Sequence, residues 1–122
     1  MDIRVDRQGD SKVAVVISKD VLIKDTQDAL DLMSTVSYTE QCDKMVIEKG
    51  CITETFFDLS TKLAGEILQK YTQYQFKIAI IGDFSGYKSK SLKDFIYECN
   101  QGKQVFFLPD EAAGLQALHR LP

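Results

Sequence analysis

The sequence predicts an α/β fold. An N-terminal β-hairpin is followed by alternating helices and strands, giving a mixed, mainly parallel sheet of four to five strands with four helices. Three observations predict it. Short apolar, β-rich runs stand at 12–18, 44–48, 76–81 and 104–108. Between them lie stretches whose apolar residues recur at helical spacing. A turn signal, Gln8-Gly-Asp-Ser11, joins an alternating stretch to the first continuous run. Strands alternating with helices imply parallel neighbours joined by right-handed crossovers.

The elements follow in order. Ile3-Arg-Val-Asp-Arg7 alternates apolar and polar, the period of a half-buried strand. Lys12 to Ser18 is a β-branched run of the kind covered on both faces. Val21-Leu-Ile23 leads into a helix capped by Asp25 or Thr26, with Ala29, Leu30, Leu32, Met33 and Val36 as its apolar stripe. The strand at 44–48 comes next. The second helix has two candidate starts, near Glu54 or at Leu59. The stripe Phe56, Leu59, Leu63, Ile67 and Tyr71 favours the earlier one, with an irregularity near 57–58. Asp58/Lys62 and Glu66/Lys70 have the i,i+4 spacing of helix ion pairs. Gly65 sits inside this helix at a cost of about 1 kcal/mol against Ala. Close approach to the sheet is the plain reason for it.

The strand at 76–81 ends in the loop Gly82-Asp-Phe-Ser-Gly-Tyr-Lys88. Ser89 or Ser91 caps the third helix; Asp94, three residues after Ser91, fits a capping-box start. Asn100-Gln-Gly102 closes that helix. After the strand at 104–108, Pro109-Asp110 starts a terminal helix carrying Leu115, Leu118 and Leu121.

Composition narrows the function classes. At 122 residues, one domain is the default, and the chain is long enough to bury a core without disulfides. Fifteen Lys and Arg against eighteen Asp and Glu give a net charge of −3, which argues against a nucleic-acid surface. No apolar run approaches the roughly 20 residues needed to span a bilayer. The first residues lack a signal-peptide pattern. Three cysteines, Cys42, Cys51 and Cys99, are an odd number at no framework spacing, as expected of free thiols in the cytoplasm.

In parallel sheets, functional loops collect at the carboxyl ends of the strands. Here that edge gathers Glu48-Lys-Gly-Cys51, Asp83-Phe-Ser85 and Pro109-Asp110. Glu48, Lys49 and Cys51 leave their strand together. A thiol near a helix N-terminus becomes a nucleophile when its pKa is lowered, although a lone cysteine is more often a small core residue. Asp83, Phe84, Ser85, Tyr87, Lys88 and Ser89 form the best binding loop, with two glycines, two aromatics and free backbone N–H groups at the next helix start. The plainer reading is a strand-to-helix turn whose aromatics fold over the core. Asp58, Ser60 and Thr61 offer a phosphorylation or partner site, or a simple capping set. His119, beside Arg120 near a helix C-terminus, is assigned no catalytic role. No phosphate-loop spacing and no metal-ligand spacing occurs, so no cofactor and no metal are expected.

At Phe56-Phe-Asp-Leu-Ser60, Leu63-Ala-Gly-Glu-Ile-Leu-Gln-Lys70, Ile81-Gly-Asp-Phe-Ser85 and Ser89 to Asn100, the chain resembles an uncharacterised bacterial family, domain of unknown function 4180. The resemblance covers nearly the whole chain. It implies a small cytoplasmic protein and no particular activity. The element order is also similar, more distantly, to STAS domains, which are binding modules switched by phosphorylation. In that comparison Asp58 and Ser60 match the Asp and second Ser of an Asp-Ser-Ser-Gly motif, while Leu59 and Thr61 depart from it. The expected function is a non-enzymatic binding or regulatory module for a protein partner, acting through loops 48–61 and 82–89. The alternatives are an enzyme or small-molecule binder using Glu48, Cys51 and Asp83, and a structural homodimer.

Overall fold

The computed structural model describes residues 1–122. Five strands, β1 (Asp2–Gln8), β2 (Ser11–Ile17), β3 (Lys44–Glu48), β4 (Lys77–Ile81) and β5 (Val105–Leu108), form one sheet in that order. β1 runs antiparallel to β2, and every later pairing is parallel. The hairpin turns through Gly9-Asp10, with positive φ at Gly9 alone (59°), the pattern of a type II′ turn.

Four helices complete the fold: α1 (Thr26–Thr39), α2 (Leu63–Gln73), α3 (Lys90–Asn100) and α4 (Glu111–His119). The strand order never reverses, so every crossover steps the same way. Right-handed crossovers then put α1, α2 and α3 on one face. Side-chain alternation matches. Ala14, Val16, Met45, Ile47, Ile78, Ile80, Val105 and Phe107 belong to the larger core, together with Leu32, Ile67 and Leu92 of the three helices. Val13, Val46, Ala79, Ile81 and Phe106 point the other way, into a smaller cluster with Leu118 of α4.

Three helix starts are fixed by oxygen side chains. Asp25 accepts from Asp28 N at 2.8 Å, Ser89 from Leu92 N at 3.2 Å, and Asp110 from Ala113 N at 2.9 Å. Ser91 therefore lies inside α3, and Asp94 pairs with Lys90 at 2.8 Å instead of closing a capping box.

The segment before α2 departs from the sequence reading. The helix does not start near Glu54. Instead three 3₁₀ turns, Lys49–Cys51, Glu54–Phe57 and Leu59–Thr61, precede it. Local side-chain bonds compete with the helix here. Thr53 accepts from Thr55 N, Asp58 accepts from Ser60 N, and the Thr61 hydroxyl lies 2.9 Å from Thr55 O and 2.8 Å from Asp58 O. Lys62, at φ +69°, breaks the path just before α2. Asp58 and Lys62 thus share no helix and form no ion pair; Glu66 and Lys70 share α2 but are not paired either.

Gly65 also departs. It is exposed, and no atom lies within 4 Å of where a Cβ would stand. The close approach to the sheet belongs to Gly114 of α4, where a Cβ would lie 3.3 Å from methyls of Ile81 and Val46. Gly65→Ala is accordingly expected to stabilise the protein by up to about 1 kcal/mol in urea denaturation, through helix propensity alone. A loss of stability would show an unseen packing role.

β5 is an outer strand with an unusual neighbour. The Asn100 side chain donates to Phe107 O at 3.0 Å and accepts from Phe107 N at 2.7 Å. One amide fills the place of a further strand. This protects an otherwise open edge.

Candidate functional site

β3, β4 and β5 end together. Glu48 pairs with Ile81, and Ile81 with Leu108, so the following loops share one rim. From β3 the chain enters the turn Lys49–Cys51, held down by Leu22 N and Ile23 N on Cys51 O at 2.8 and 3.0 Å. From β4 it passes Gly82, whose N–H donates to Leu108 O at 3.0 Å. Gly82 has φ +150°, and a Cβ there would stand 2.9 Å from Lys49 Cγ. The missing side chain leaves room for the Lys49 stem to cross β4.

Lys49 crosses to reach Tyr87. Its Nζ lies 4.8 Å from the ring centroid and 3.3 Å from the hydroxyl oxygen. The Tyr87 hydroxyl donates to Glu54, with carboxylate oxygens at 3.0 and 3.1 Å. Burial pushes this phenol upward, Glu54 adds to the shift, and Lys49 opposes it. Below lies an aromatic seat. Phe57 stacks on Tyr87 at 5.3 Å and meets Phe84 at 6.0 Å and Phe56 at 5.0 Å. Phe84 meets Phe107 of β5 edge-on at 5.5 Å. Two loops, 49–61 and 82–88, are thereby fastened to one another and to the sheet.

Other rim residues are arranged in a repeated form. Asp83 accepts from Ser85 N at 2.9 Å and from Ser85 Oγ at 2.6 Å. Asp58 accepts from Ser60 N at 3.1 Å and from Ser60 Oγ at 2.6 Å. The Ser85 bonds, with the Lys49 charge adding to them, hold the Asp83 carboxyl below its ordinary range. Ser60 is exposed, and a phosphate on it would stand against the Asp58 carboxylate. Glu48, Lys88 and Ser89 are exposed, and Ser89 is occupied as the α3 cap.

Cys51 is set apart from this group. It is 2 % exposed, and its thiol faces Ser18 O at 3.5 Å. Burial first, then Glu48, pushes its pKa up, away from a thiolate. A depression of ≈ 400 Å³ beside Asp83 and Phe84 is lined by neither Glu48 nor Cys51. The other two thiols are also raised, Cys99 to about 11. Alkylation by iodoacetamide at pH 8 is expected to be slower in the native protein than in urea at all three, and at least ~10-fold slower at Cys99, since each pKa unit removes tenfold of the reactive thiolate. Equal rates at Cys51 would reveal an activated thiol.

The sequence reading missed a second cluster, at the opposite end of the strands. Lys44, at the start of β3, is 7 % exposed and is the one buried charged residue. Its Nζ donates to Ser11 Oγ at 2.7 Å and to Leu118 O at 3.1 Å. His119 of α4 has Nδ1 at 2.7 Å from Ser11 Oγ and Nε2 at 2.8 Å from Asp6 Oδ2. The available signals were weak: a lysine opening a buried run, and a single histidine 108 positions from its serine. No three or more His, Cys, Asp or Glu side chains converge in a way that would hold a metal ion.

Comparison with known families decides the classification. The model of the family described as "Domain of unknown function (DUF4180)" matches residues 8–118. The chain belongs to that family. The match spans every rim residue described above and includes Ser11 and Lys44. Neither curated proteins nor solved structures gave a match. No helix is long and apolar enough to cross a membrane.

Proposed function

We propose that this DUF4180 protein is a cytoplasmic, regulatory binding module and that its carboxyl rim docks a protein partner. The observation that carries this reading is the Lys49–Tyr87–Glu54 link above the Phe57–Tyr87 stack. It holds two loops in one geometry before any partner arrives, which lowers the ordering cost of association. The rim presents Glu48, Asp83, Ser85 and Lys88 outward on that rigid base. The likeness of the element order to STAS binding modules supports the same reading. An enzyme site built on Glu48, Cys51 and Asp83 has less support, because the thiol is buried and the depression beside Asp83 is lined by neither Cys51 nor Glu48.

The test is affinity capture from the native host with the wild-type chain and the double variant Asp83→Lys, Lys88→Glu. Both positions are exposed, so melting temperature should fall only slightly, by the loss of the two Ser85 bonds to Asp83. A partner held by the wild type and released by the variant supports the reading. Retention of the same partner by both, or by neither, overturns it.

A further inference from the structure

At the opposite end of the sheet, four side chains from three separate parts of the sequence form one hydrogen-bonded line. The proton positions at its two ends follow from chemistry. A lysine ammonium only donates, so Lys44 donates to Ser11 Oγ (2.7 Å). A carboxylate only accepts, so His119 Nε2–H donates to Asp6 Oδ2 (2.8 Å). In the neutral form of the imidazole Nδ1 is then the acceptor, and the Ser11 hydroxyl donates to it (2.7 Å). Of the two neutral tautomers, only the one protonated at Nε2 satisfies the whole line.

This is the order nucleophile, base, orienting carboxylate. It is not enclosed at the serine end. Ser11 and Lys44 line a cleft of ≈ 760 Å³ together with Gln8, Asp10, Lys12 and Gln41. The base is shielded: the His119 side chain is 4 % exposed and that of Asp6 28 %. Lys44 adds a second clue. A buried ammonium is costly without a carboxylate partner, and Lys44 has none within ion-pair distance. Pinning α4 to the hairpin needs no such group, since Leu118 already packs there.

We propose that Ser11 is a nucleophile toward acyl esters, with His119 as its general base and Asp6 as a positioning residue. Ser11 Oγ bonds to the ester carbonyl carbon while its proton passes to His119 Nδ1. The carbonyl π pair moves onto oxygen, and Lys44 stands beside the reacting serine to stabilise that charge. The tetrahedral species collapses by breaking the bond to the alcohol oxygen, which takes the proton from His119. Water then attacks acyl-Ser11 by the same route, so ester and water become acid and alcohol. No co-reactant is required. The mixed-charge lining of the cleft selects small, polar acyl groups over lipids.

The test uses the full chain and a fluorophosphonate, which phosphonylates an activated serine and releases fluoride. Peptide mass spectrometry locates the label. Native protein is expected to be labelled at Ser11 at least ~100-fold faster than the urea-unfolded chain, the range supplied by a positioned general base. His119→Gln should abolish that advantage. Asp6→Asn should reduce it and Asp6→Glu restore it, at an unchanged melting temperature. The rim variant Asp83→Lys, Lys88→Glu should be labelled like wild type, which separates this site from the docking surface. Absence of label at Ser11 in the native protein, or equal rates in native and unfolded chains, overturns the proposal and leaves the line as an anchor for α4. The native-against-unfolded comparison needs no variant, so a poorly folding substitution does not blunt it.

Discussion

Phe57→Ala is expected to remove about 3–5 kcal/mol of stability, the usual cost of deleting a buried phenyl ring. Phe57 is 4 % exposed and touches three other rings. Nothing nearby can collapse into its place, because Phe56 is committed to the main core and Phe84 to Phe107. Domains of this kind hold only about 5–15 kcal/mol in total, so the loss is a large share. The effect should also be local. Tyr87 loses the face it stacks on, and the turn at 54–57 loses its seat. Hydrogen exchange should therefore accelerate in 49–61 and 83–88 under conditions where β2 and β3 stay protected. Urea denaturation measures the first part. A loss below about 1 kcal/mol would mean that the rim does not depend on this ring.

Gly114→Leu is expected to be destabilising at or beyond the upper end of the ~1–3 kcal/mol typical of overpacked cores. The position of a Cβ at Gly114 is already 3.3 Å from Ile81 and Val46 methyls and 3.4 Å from Ala79 Cβ. Leucine adds three further carbons into that contact. Helix propensity gains about 1 kcal/mol on leaving glycine, which is too little to offset the clash. The sheet face beneath, with Val46, Ala79, Ile81 and Phe106, packs against Leu118 of α4. Lifting α4 would wet that face and draw His119 away from Ser11. Denaturant unfolding at wild-type midpoint and slope would contradict this account.

Much of the fold was legible because its signals are local and repeated. The β-branched runs ending at Ile47 and Ile81 and the stripes around Leu32 and Leu92 state their own period. Each crossover is short enough for handedness to follow. The failures share a cause. Between Thr53 and Lys62, side-chain oxygens bond to nearby backbone, and a helical stripe of apolar residues gives no warning of it. Glycine was misread in the same way, since a missing side chain marks both open space at Gly65 and contact at Gly114. At the candidate site, loops after consecutive parallel strands were predictable neighbours. The Tyr87–Glu54 bond was not, since it depends on how two loops fold back. The Asp6–His119–Ser11–Lys44 line was least legible of all. Its members come from the hairpin, β3 and the last helix, and only the assembled sheet makes them adjacent.

The Asn100 amide against Phe107 has a consequence for self-association. With the middle of β5 occupied by a side chain, this end of the sheet offers an incoming strand little to pair with. Lengthening of the ladder is then left to β1. Two molecules meeting through their β1 strands would use up the one available border on each, so strand-mediated growth ends at a pair instead of running on into a fibre.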